Sequence, residues 1–176
     1  MQAACVTQPQ HIVGADSVRS AKELTRWQAN GRMGISTPEQ SGSGGFVWDQ
    51  DHQTSQIQLR GPVGVGSLSV LIEGALLRLV ASDGTYYDAD VAIQQMQNQL
   101  GTELPVTQLR FWLMGVPAPG IHQWQDVGQD QLEQDGWQIS YQLWTQRDDL
   151  RLPLRLVLTR DEVRIVLVIQ TWQLSA

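Results

Sequence analysis

The sequence predicts a mainly β protein, an antiparallel sheet curled around its own apolar face with short helices plugging the opening. Three observations lead there. The last third alternates strongly: Trp137, Ile139, Tyr141 and Leu143 face one way and Gln138, Ser140 and Gln142 the other. Leu150, Leu152, Leu154, Leu156 and Leu158 likewise oppose Arg151, Pro153 and Arg155, and Ile165, Leu167 and Ile169 oppose Arg164 and Gln170. Helical periodicity, by contrast, is confined to short stretches. A sheet with one apolar face must cover it, and two short helices cannot cover this many strands in a sandwich. Curling the sheet around that face solves the problem.

Taken in order, residues 6–15 are rich in Gln, Thr, Pro and Gly, have no period, and make residues 1–15 a tether ahead of a single domain over 16–176. Asp16 or Ser17 can cap a helix carrying Val18, Ala21, Leu24 and Trp27 at every third position. Short β-type runs follow at Met33–Ser36, Gly45–Trp48 and Thr54–Gly61, and the stretch Ser41 to Gly45 reads as a flexible turn between them. Leu68, Val70 and Ile72 alternate against Ser67 and Ser69. After Gly74 the run Ala75–Val80 leads to an Asp83-Gly84 hairpin signal. Ala89, Ala92, Ile93, Met96 and Leu100 then fit one helix ended by Gly101, and Pro105 to Met114 a second, with proline at its first turn and Gly115 beyond its end. Pro117, Pro119 and Gly120 open a loop before the final strands, which turn at Asp148-Asp149 and at Asp161-Glu162.

Composition narrows the function. The chain of 176 residues is 41% hydrophobic, enough for one substantial core. A net charge of -6, with Lys22 as the one lysine, argues against nucleic acid and against polybasic docking on anionic lipid. No run approaches the eighteen or so apolar residues of a membrane-spanning helix. His11, His52 and His122 lie far apart without metal spacing, and Ser41 to Gly45 matches neither a nucleophile elbow nor a phosphate loop, so no enzyme and no cofactor is expected. Seven tryptophans suit either the walls of an apolar cavity or simple core filling. Cys5 follows Gln2-Ala3-Ala4, like the end of a bacterial lipobox in which the cysteine is lipidated, or is an incidental thiol. Gly61-Pro62-Val63-Gly64-Val65-Gly66 must be an exposed or strained turn; Val63 either tucks back onto the core or stands at an apolar tip.

Several segments in order resemble the LolB family of Gram-negative outer-membrane lipoprotein receptors: Trp27 to Arg32, Gly45 to Trp48, Leu59 to Gly64, Leu104 to Val106, Leu109 to Pro117, Gly136 to Tyr141, and Trp172. Val63 departs from the leucine often found there, and the glycines before Phe46 are an insertion. The resemblance implies an incompletely closed antiparallel barrel of about eleven strands with a helical lid, LolA/LolB-like. It implies a monomer held at the outer membrane by Cys5, with Val6 rather than an aspartate next to it permitting that location. Such a receptor accepts acylated lipoproteins from the soluble carrier LolA and inserts them into the membrane. Pro62, Val63 and Gly64 would form the insertion loop, and Trp48, Trp112, Trp137, Trp172, Ile139, Tyr141, Ile93 and Met96 would wall the cavity. A LolA-like carrier, a lipocalin-like module for a small hydrophobic ligand, and a lipoprotein whose tryptophans merely fill the barrel are the competing readings. An open interior of several hundred Å³ with tryptophan walls would favour binding, and a filled interior would refute it.

Overall fold

The computed structural model describes residues 21–61, 67–74, 76–80, 83–100, 105–125 and 130–175. Eleven strands form one antiparallel sheet: β1 (Arg26–Ser36), β2 (Ser41–Asp51), β3 (Thr54–Arg60), β4 (Leu68–Glu73), β5 (Leu76–Val80), β6 (Tyr86–Tyr87), β7 (His122–Trp124), β8 (Gln131–Gln134), β9 (Trp137–Arg147), β10 (Leu150–Arg160) and β11 (Val163–Leu174). Between β6 and β7 stand the helices α1 (Ala89–Leu100) and α2 (Val106–Leu113). The strand order runs β6-β5-β4-β3-β2-β1-β11-β10-β9-β8-β7, so the first and last strands pair in the middle of the sheet. Strands β6 and β7 are its two edges, and the barrel is not closed there.

The tight turns are made by residues that tolerate a left-handed backbone. Asp135, Asp148 and Asp161 have φ of 52°, 51° and 52°, and Gly136 follows Asp135 at 75°, which matches the right-handed twist of the strands on either side. The Asp83-Gly84 signal is a real turn between β5 and β6, with the Thr85 amide donating to the Asp83 carboxylate at 2.9 Å.

Alternation places the core. Inward rows cross the sheet by register: Phe46, Leu59 and Leu68; Trp48, Ile57 and Val70; Leu167 and Leu156; Ile165, Leu158 and Ile139. These side chains are buried except half-buried Leu59.

Three expectations are corrected. Trp27 lies in strand β1, not on a helix; the helical residues described ahead of it end at Glu23. Its true companions are Ala29, Gly31, Met33 and Ile35 at every second position, all facing in. Ser41 to Gly45 is strand, paired with Arg32–Ser36, and not a flexible turn. There Gly44 meets β3 so closely that a Cβ would stand 2.3 Å from the Arg60 carbonyl oxygen. The alternation of β9 and β10 also breaks: Gln142 and Leu154 have no partner in their ladder, which turns Leu143 out to 53% exposure and leaves Leu154 half-buried. A related bulge at Gln170 changes the phase of β11 so that Ile169 and Trp172, three residues apart, both point inward.

Candidate functional site

Helix α2 forms because Val106, Leu109 and Leu113 recur on one face, with buried Trp112 beside them. That face lies on the concave side of the sheet. Between them is a small cavity lined by Val106, Leu109 and Leu113 from α2 and by Met33, Phe46, Trp48, Ile57, Leu59, Val70 and Leu167 from the strands, every one apolar. Its volume is about 20 Å³, room for roughly one water molecule. An ordinary small-ligand pocket measures several hundred Å³, so this gap between the described residues is far smaller than one.

The two ends of α2 are held differently. At its C-terminal end the buried amide of Gln134 accepts from Trp112 Nε1 and from the Ala118 amide, both at 2.9 Å, and donates to the Ala118 carbonyl at 2.8 Å. Tyr141 donates its hydroxyl proton to the Trp112 carbonyl at 3.1 Å, and burial pushes its phenol well above the ordinary tyrosine range. Gly115 follows with φ of 73° against the Trp144 ring. At the other end Pro105 makes no side-chain cap. Among the described residues, buried side-chain hydrogen bonds are thus gathered where the helix ends, while buried Val106 packs its start onto the core.

The inward row next to the cavity, formed by Gln50, Ser55 and Ile72, differs from its neighbours. Gln50 Oε1 accepts from Ser55 Oγ at 2.6 Å and from Trp48 Nε1 at 3.2 Å, while its amide nitrogen donates to the His52 carbonyl at 2.8 Å. Beyond Gln50 and Trp27 the surface is wet. An open cleft of about 440 Å³ there includes Arg26, Asp49, Asp51 and Gln173, and a crevice of about 110 Å³ includes Lys22, His52, Arg110 and Met114. Hydrogen bonds from His52 and Arg26 hold the exposed Asp51 carboxyl below its usual range. Among the described residues the buried polar side chains are Gln50, Ser55 and Gln134, none of them charged.

Of the residues expected to wall a cavity, Trp48 borders this small gap. Trp112, Trp137, Trp172, Ile139 and Tyr141 are buried but line the core elsewhere. The reason is visible in their partners: Trp112 is bonded to Gln134, Trp172 Nε1 donates to the Pro153 carbonyl at 2.9 Å, and Trp137 lies under the Arg160 guanidinium. Trp172 also packs edge-on against Trp27, 5.5 Å between ring centres. Ile93 packs half-buried on the core away from the gap. Cys5, Pro62, Val63, Gly64 and the side chain of Met96 lie outside the described residues. The walls that sequence reasoning missed, such as Phe46, Val70 and Leu109, carried a signal in their strand and helix periods but nothing to single them out from other core positions.

An open eleven-stranded antiparallel barrel with a helix laid over an apolar interior has counterparts among solved structures. The fold is similar to that of a LolA superfamily protein from Nitrosomonas europaea, with a TM-score of 0.56 at 10% identity over 92% of this chain and 93% of that one. It is also similar to a putative outer-membrane lipoprotein-sorting protein domain from Vibrio parahaemolyticus, TM-score 0.56 at 9% identity over 93% and 92% of the two chains. Within that architecture the sequence is more specific. The profile of the family described as outer membrane lipoprotein LolB matches residues 25–172. The outer-membrane lipoprotein LolB of Pseudomonas paraeruginosa is 39% identical over 156 residues, 86% of this chain and 76% of that protein. That of Ectopseudomonas mendocina is 34% identical over 155 residues, 86% and 76% of the two chains. The chain belongs to the outer-membrane lipoprotein LolB family. It is accordingly a lipoprotein receptor of the Gram-negative outer membrane, in a family that localises lipoproteins.

Proposed function

We propose that this receptor takes lipoproteins from the soluble carrier LolA by binding their acyl chains between α2 and the concave face of the sheet, and passes them to the inner leaflet of the outer membrane. The observation that carries this reading is the wholly apolar seam under α2, whose buried side-chain hydrogen bonds among the described residues lie at its C-terminal end. Lifting the Val106 end would widen the seam without disturbing the Gln134 bonds. Burial of a methylene stabilises by about 0.8 kcal/mol, so a sixteen-carbon chain represents on the order of 10 kcal/mol that water cannot replace. A carrier, a receptor and a bilayer of rising affinity can hand such a chain on without nucleotide hydrolysis. In this reading Cys5 carries the lipid anchor, Val63 between Pro62 and Gly64 enters the headgroup boundary, and the receptor acts as a monomer. The small size of this gap favours one other reading, a lipoprotein that holds no ligand.

A photo-cross-linking amino acid placed at Leu109 separates the two. During transfer of a palmitoylated lipoprotein from the carrier, Leu109 should link to the acyl chain and the outward-facing Arg164 should not. Equal labelling at both positions, or none at Leu109, overturns the proposal.

A further inference from the structure

We infer that Gln50 is the floor of the acyl site and sets how far a chain can enter the barrel. The inference rests on the acyl-binding reading and adds to it a limit on chain length.

The register supplies the geometry. The cavity touches the row of Phe46 and Leu59 and the row of Trp48, Ile57 and Val70, and stops before the row of Gln50 and Ser55. Gln50 is 7% exposed and Ser55 is fully buried, in an interior otherwise apolar at this level. The amide is braced on three sides, by Trp48, Ser55 and the His52 carbonyl. On its far side Gln50 and Trp27 line the open cleft with Arg26, Asp49 and Asp51, so this side chain stands between the apolar interior and a polar surface. The C-terminal half of α2 closes over the same place, since Phe111 and Met114 share the smaller cleft with Gln50. A chain entering under the Val106 end thus advances toward a wall that already makes three hydrogen bonds. Moving past it means breaking those bonds and entering water, neither of which a methyl group can offset.

A length series tests this on the full chain. Saturated fatty acids from about ten to about twenty carbons compete against a fluorescent palmitate analogue, and each methylene buried should raise affinity about fourfold. For the parent the rise should stop at the length that reaches Gln50. In Gln50→Ala the break should move to chains longer by about two methylenes or more, with shorter chains held within about twofold of the parent. Gln50→Thr shortens the wall while keeping a hydroxyl for Trp48 and Ser55, and should shift the break in the same direction if the alanine variant fails to fold. Gln50→Leu preserves the wall and should leave the break in place. A parent whose affinity climbs through the whole series, or a break that stays fixed in the shortened variants, overturns the inference while leaving acyl binding intact. Absence of binding at every length instead removes the acyl-binding reading, and the length limit with it.

Discussion

Replacing Gln134 by Leu tests how α2 is held. The side chain is 2% exposed and satisfies three buried groups: Trp112 Nε1–H, the Ala118 N–H and the Ala118 carbonyl. Leucine nearly matches its volume, so the cost is polar rather than steric. Each group left unpaired costs about 1–3 kcal/mol, and some backbone relaxation at Ala118 brings the expected total to about 4 kcal/mol. For a domain of this size that corresponds to a fall of about 10 °C in Tm. Thermal and urea unfolding followed by circular dichroism measure it. Trp112→Phe removes one of the orphaned donors, so in the Gln134→Leu background it should cost less than it does in the parent, with a coupling of about 1–2 kcal/mol. A loss below about 1 kcal/mol for Gln134→Leu, or strict additivity with Trp112→Phe, would refute the claim that this amide fastens the helix.

Two further outcomes are expected. Gly115→Ala forces a side chain onto a backbone at φ 73° and puts its Cβ 2.7 Å from the Trp144 ring, so it should destabilise by about 2 kcal/mol or more in the same unfolding assay; a neutral result would mean that the Trp144 contact yields freely. Val63→Glu should leave stability within about 1 kcal/mol of the parent and acceptance from the carrier intact, while delivery into liposomes drops sharply, and unimpaired delivery would show that another surface carries insertion.

Period two was legible wherever large apolar residues mark it, as in β9 to β11, and there the sheet follows the sequence except where bulges at Gln142, Leu154 and Gln170 change the phase. It was hidden in β1, where the inward positions after Trp27 are Ala29 and Gly31, too small to stand out against a chance three-residue spacing that suggests a helix. Glycines misled in the same way in β2: a run that composition assigns to a turn is strand, and Gly44 alone among its glycines meets a neighbouring backbone too closely for a side chain, while Gly42 and Gly45 have room. Bulges were not legible at all. Nothing about Gln142, Leu154 or Gln170 announces a residue skipped in the ladder, since the cause is the fit between strands distant in sequence. The site suffered likewise. Gln50 and Gln134 occupy inward positions two residues after Trp48 and Leu132, and a polar side chain in an apolar phase was the available signal. Rings and aliphatics alone could not reveal which of them border the gap, because that depends on where α2 rests.

Pairing of the first strand with the last has a consequence for how the chain acquires its shape. Arg26 to Ser36 meets Arg164 to Leu174, contacts separated by nearly the whole sequence. Loop closure of that length comes late in folding and slows it, because its entropy is lost before the contacts repay it. Until β11 arrives, β1 presents an open edge with Trp27, Met33 and Ile35 beside it, a template for pairing with other chains. The growing meander is thus exposed to aggregation for longer than a helical protein of equal size would be. Shortening the chain by the segment after Arg160 would leave that edge permanently unpaired and the product prone to associate rather than merely less stable.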